Sequence, residues 1–346
     1  MRKFLLILLM MIFFIRPVNA MEYTAPEVPD SAQDLFPEER STFAEDVWKI
    51  LQKGIERLRP AIVTSLRLGT SVLAVTIGIS TITAVSGHPS GAIDLAGAVA
   101  VSAILLSSSD AFIRTGVQTV HQLSEYGKLL IPVMTGALAA QGAGNTSAAI
   151  YAGTVAFDAV LSGVISKILT PLIYIFLCIS IANASIAEKV LEQVRDFVKW
   201  LISWGLKSLM YVFTGYIGIT GVISGTVDAA AVKATKLTLS GVVPVVGGIL
   251  SDASEAVLVS AGLMKNAAGI YGLLALLAVV IEPFLKIGFQ YLVLKLTAAL
   301  GAVLGSSKTT SLISDFSSAM GLVLAMTGAT CIMLMISTVC FMRGVG

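Results

Sequence analysis

Four ionisable residues stand in or beside apolar runs of this sequence: Asp94, Asp158, Glu282 and Lys286. A charge at bilayer depth is costly, so such groups face a cavity, an ion path or a partner charge. Glu282 and Lys286 are four apart and can pair on one helix face. Alternatively, Glu282-Pro283 marks the boundary between two short spans and leaves both charges at the interface. Asp158 sits in the otherwise apolar stretch 148–165 and lines either a pathway or a helix contact. Asp228, Lys233, Lys236, Asp252 and Glu255 read as a solvated loop face. Catalytic groups are scarce. His88 and His121 are the only histidines, and there is no His-Glu-x-x-His, nucleophile elbow or phosphate-binding glycine loop. Cys178, Cys331 and Cys340 lie in apolar runs without Cys-x-x-Cys spacing and read as buried hydrophobes. The expectation is a protein that is not an enzyme and that holds no cofactor and no metal.

The elements that must position these groups are membrane helices. The chain has 346 residues, 56% hydrophobic and 13% charged, where a soluble protein carries about 25% charged residues. So little charge cannot cover a water-facing surface, and the 31 glycines suit closely packed membrane helices. A net charge of +2 gives no electrostatic footprint for nucleic acid. The predicted class is an all-α polytopic membrane protein. Apolar runs lie at 68–85, 93–108, 129–140, 148–165, 168–187, 209–224, 267–281, 284–304 and 319–341. Several fall short of the ~20 residues a crossing needs, so the expected count is about seven transmembrane helices, within six to eight. Arg343 after the last run predicts a cytosolic C-terminus.

The N-terminus reads as a signal peptide over 1–20. Arg2 and Lys3 precede an apolar run over 4–15, and Val18-Asn19-Ala20 offers a cleavage site; an uncleaved anchor is the alternative. Residues 21–41, acidic and proline-containing, read as an exported flexible linker. Thr42-Phe43-Ala44-Glu45 matches a capping box, and 42–60 follows as an amphipathic helix limited by Pro60, lying on the membrane, on a partner or simply packed. The polytopic domain takes 61–346. Within it, 188–207 repeats apolar residues at helical spacing and carries Trp200 and Trp204, which predicts an interfacial helix or a coiled contact to a partner.

The prolines suggest an internal duplication. Pro132 and Pro171 are 39 apart, as are Pro244 and Pro283, and the pairs are offset by 112. Pro132-Val133-Met134-Thr135-Gly136-Ala137-Leu138 aligns without a gap to Pro244-Val245-Val246-Gly247-Gly248-Ile249-Leu250, giving repeats 104–215 and 216–328. Duplicated halves with broken elements at equivalent places are a common transporter build. Re-entrant or broken elements are therefore expected around Pro132 and Gly136, and around Pro244, Gly247 and Gly248, facing a polar pathway.

The stretch 224–236, Ser-Gly-Thr-Val-Asp-Ala-Ala-Ala-Val-Lys-Ala-Thr-Lys, followed by Val243-Pro244-Val245-Val246-Gly247-Gly248-Ile249-Leu250-Ser251-Asp252-Ala253, resembles the signature of the stage III sporulation protein AE family. The resemblance extends from about residue 43 to the end. It implies the polytopic member of the stage III A set of endospore-forming Firmicutes, in an assembly that links mother cell and forespore and resembles a secretion or feeding channel. It places the chain in the mother-cell membrane around the forespore. The partners it implies are other stage III A proteins, among them an ATPase and ring-forming proteins, and a forespore membrane protein. The resemblance carries over no catalytic residues. The expected role is a gate-like or scaffold subunit of that complex; the alternative is a stand-alone secondary transporter.

Overall fold

A computed structural model describes residues 26–37, 42–86, 91–186, 188–242, 247–303 and 307–343, with side chains for all of these except Ser86, Asp94, 221–265 and Ser307. The expected signal peptide lies outside the described residues. Among them there is no strand. After the short α1 (Asp30–Gln33) come α2 (Phe43–Ser86), α3 (Gly91–Ala140), α4 (Gly144–Val164), α5 (Thr170–Ile186), α6 (Lys189–Val242), α7 (Gly247–Val303) and α8 (Ser307–Arg343). A single π-helical turn, Ile165–Leu169, fuses α4 to α5. Among the described residues, five helices are long and apolar enough to cross a membrane: Phe43–Val85, Gly91–Ala140, Gly144–Ile186, Asn266–Val303 and Lys308–Arg343. The all-α expectation holds, and several of the separate apolar runs in the sequence are halves of one rod.

The capping box forms as the sequence dictates. The Thr42 backbone N–H donates to Glu45 Oε2 at 3.3 Å, and the Glu45 N–H donates to Thr42 Oγ1 at 3.4 Å. The expected stop at Pro60 does not occur, because α2 runs 44 residues, about 66 Å at 1.5 Å per residue. α3 likewise continues through Pro132, so the backbone there is not broken. A helical proline removes one hydrogen bond and orphans the carbonyl four residues back. Pro60 and Pro132 both sit on exposed faces, as do Glu56 and Lys128, whose carbonyls they free. At Pro171 the π turn absorbs the distortion, and Thr170 Oγ1 donates to the Ile165 carbonyl at 2.7 Å. Pro244 lies outside the described residues, and Gly247 and Gly248 open α7.

Close glycine contacts fix the directions of the rods. Gly54 faces Ile281 at 3.2 Å from its Cβ position and Gly69 faces Val293 at 2.9 Å, so α2 and α7 run parallel. Gly116 meets Val323 and Gly127 meets Leu334, so α3 and α8 run parallel. Gly272 meets Leu130 while the Cβ position of Gly116 lies 3.6 Å from Ile287, so α3 and α7 run antiparallel. Two hairpins, α2–α3 and α7–α8, therefore lie side by side. A third, α4–α5 with α6, is held together by the Phe157–Phe213 ring contact at 5.5 Å and packs beside them through the Ser124–Asp158 and Thr154–Ser337 hydrogen bonds.

Residues 26–37 lie packed rather than free. Val28, Ala32 and Leu35 are buried, and the Phe36 ring meets Tyr271 at 4.7 Å. Their spacing is helical, so even an acidic, proline-bearing segment carries an apolar face. This segment and the C-terminus share one end of the bundle, because Tyr271 holds Phe36 while Gly269 lies against Met342. An exported N-terminal segment and a cytosolic C-terminus are therefore incompatible in a bundle that spans one bilayer.

Candidate functional site: a polar chamber between hairpins

Where α2, α3 and α7 meet the N-terminal segment, the apolar packing gives way to a chamber of about 290 Å³. α3 contributes Thr115, Gln118, Thr119 and Gln122, a polar stripe at helical spacing. α2 contributes Arg57, and α7 contributes Glu282 and Lys286. Pro283 also lines the chamber. Because it lacks an N–H, it leaves the carbonyl of Val279, another lining residue, without its helical donor. The chamber thus carries hydroxyls, amides, a free carbonyl acceptor and three charges.

Those charges form an alternating chain. Lys286 donates to Glu282 Oε1 at 2.6 Å, as the four-residue spacing predicts. Arg57 Nη1 donates to Glu282 Oε2 at 3.2 Å, and Nη2 to Asp34 Oδ2 at 2.6 Å. Glu282 is the least exposed of the four, its side chain 22% exposed, and is held by a cation on each side. Asp34 is 78% exposed and ties the N-terminal segment to the rim. One turn beyond Lys286 on α7, Gln290 is fully buried, and neither amide atom has a hydrogen-bond partner among the described residues. Such an orphaned pair costs roughly 1–3 kcal/mol per unmade bond.

The other predicted residues lie elsewhere. Asp158 on α4 is buried, and its Oδ2 accepts a 2.5 Å hydrogen bond from Ser124 of α3, while Oδ1 has no hydrogen-bond partner among the described residues. It is therefore a helix contact between α3 and α4, away from the lining of the chamber. One turn away on α4, Thr154 Oγ1 donates to Ser337 Oγ of α8 at 2.9 Å. Pro132 and Gly136 lie on an exposed face of α3, with open space around Gly136. Asp94 opens the first turn of α3, and its side chain is outside the described set.

Two further groups escaped the sequence reading. Arg195, in the 188–207 stretch on the face opposite its apolar repeat, is buried and pairs with Asp315 of α8 at 3.2 Å and Asp196 at 2.9 Å. Burial opposes its charge, but Asp315, Asp196 and Glu192 together raise its pKa above the ordinary arginine value. His121 Nε2 lies 3.3 Å from Ser166 Oγ. The Ser166 hydroxyl already donates to the Ser162 carbonyl at 2.7 Å. The direction of the histidine–serine hydrogen bond follows from the imidazole tautomer. Among the described residues no cluster of three or more His, Cys, Asp or Glu side chains could hold a metal ion.

Residues 37–344 match the family described as stage III sporulation protein AE. A protein of Bacillus subtilis (strain 168) named stage III sporulation protein AE is 26% identical over 203 residues, 58% of this chain and 51% of that protein. The match thus spans about half the length of that relative. No solved structure matches the chain.

Proposed function

Because the chain belongs to the stage III sporulation protein AE family, we propose that it serves endospore formation as an integral membrane subunit of the assembly joining mother cell to forespore. In this reading it sits in the mother-cell membrane around the forespore. It meets other stage III A proteins, including an ATPase and ring-forming proteins, and a forespore membrane partner. Its role is gate-like or scaffolding and non-enzymatic. The observation that carries the reading is the family match across 37–344, nearly the whole polytopic body.

The gate-like part draws support from the chamber. A 290 Å³ polar space between two parallel hairpins, crossed by an ion chain from Asp34 to Lys286, is a joint at which hairpins can separate. We propose six crossings, one for each rod from α2 to α8 with α4–α5 counted as one. This places residues 26–37 and Arg343 on the same, non-cytosolic side. The same chamber favours a second reading, a self-sufficient secondary transporter, since intramembrane ion networks also serve coupled transport.

Deletion of the gene in its sporulating host tests the first reading. The expected result is arrest after engulfment with loss of late forespore gene expression, restored by the intact chain. Normal spores from the deletion strain would overturn it.

A further inference from the structure

On the outer face of the bundle, α6 and α8 diverge over Phe284 of α7 and leave a groove of about 460 Å³. Leu206, Met210, Leu324 and Ile332 form its walls, and Gly321 and Gly328 keep its floor low. Gly328 allows the Phe284 ring to come within 3.6 Å of its Cβ position. The lining is almost wholly apolar except for Lys207, which has no hydrogen-bond or ion-pair partner among the described residues.

The groove starts where this face changes from polar to apolar. On one side of Lys207 lie Arg195 with Asp315 and Lys199 with Ser318, the latter pair at 3.0 Å. On the other side α6 and α8 present apolar residues, including exposed Tyr211, Val212 and Ile332. Phe197, Trp200 and Trp204 stack along α6 just before the change, at 5.9 and 5.8 Å, and all are exposed. Tryptophan prefers the headgroup level, and a lysine there attracts anionic lipid.

We propose that this groove is a phospholipid site: one acyl chain lies between α6 and α8, and the phosphate of an anionic headgroup pairs with Lys207. The unpaired cation at the mouth selects the occupant, since a partner's apolar helix would leave that charge unanswered. The site is independent of what the complex carries.

Brominated lipids quench tryptophan by contact and read this directly. The full chain in a Trp48→Phe background, where Trp200 and Trp204 alone report, is reconstituted in phosphatidylcholine vesicles with brominated phosphatidylglycerol or brominated phosphatidylcholine. The expected result is severalfold stronger association of the phosphatidylglycerol. Lys207→Gln should bring the two quenching curves together, and Ala325→Phe, which fills the groove from an exposed position, should lower both. Equal quenching by the two lipids in the parent protein would overturn the proposal. So would a preference that survives Lys207→Gln, or quenching by both lipids that Ala325→Phe leaves unchanged, the pattern of a groove already filled by protein.

Discussion

Arg57 on α2 and Glu282 on α7 are 225 residues apart in sequence, yet the guanidinium donates to the carboxylate at 3.2 Å inside the chamber. Lys286 holds the other oxygen of Glu282 at 2.6 Å. The contact joins the first hairpin to the last.

A double-mutant cycle measures that joint. Arg57→Ala and Glu282→Ala should show a coupling of about 1 kcal/mol, already reduced because the Arg57 side chain is 37% exposed and solvent screens it. Arg57 with Asp34→Ala should couple more weakly, since Asp34 is 78% exposed. Equilibrium unfolding in mixed micelles provides the four free energies of each cycle.

Glycine substitutions should separate close helix contacts from open faces. Gly116 lies against Val323, so Gly116→Val should destabilise by about 1–3 kcal/mol through overpacking. Gly136 faces open space, so Gly136→Ala should be neutral or stabilising by up to about 1 kcal/mol, from helix propensity. Melting in detergent, followed by size-exclusion chromatography, compares them.

Asp158 distinguishes the two functional readings. As a helix contact it needs only an acceptor for the Ser124 hydroxyl, which an amide supplies. Asp158→Asn should therefore leave spore yield near the parent level, while Asp158→Leu, which orphans Ser124, should lower thermal stability by about 1 kcal/mol. A proton- or cation-coupled transporter that used this carboxylate would lose function in Asp158→Asn.

Topology follows from the shared end of Phe36 and Met342. Reporter fusions after residues 142 and 346 should report the same side of the membrane, and fusions after 88 and 306 the opposite side. Opposite sides for 142 and 346 would refute six crossings in alternation.

Local features were readable in the sequence. The Thr42–Glu45 capping box and the Glu282–Lys286 pair need only residues three or four apart, and both form. The all-helical class followed from composition. What the sequence hid depends on contacts between distant elements. Nothing near Arg57 announces Glu282, and nothing near Arg195 announces its partner Asp315, 120 residues away. Prolines misled in the other direction: Pro60 read as a stop and Pro132 as a broken or re-entrant element, but exposed faces let their orphaned carbonyls be solvated and the helices continue. Val28, Ala32 and Leu35 were legible as an apolar face, but the acidic composition of the segment masked it.

Affinity purification from sporulating cells, paired with reconstitution of the purified chain alone, tests the proposed role most directly. The account predicts that the intact chain brings down other stage III A proteins, and that alone in liposomes it moves no solute. Solute flux by the isolated chain, with no stage III A protein in the purified material, would contradict it.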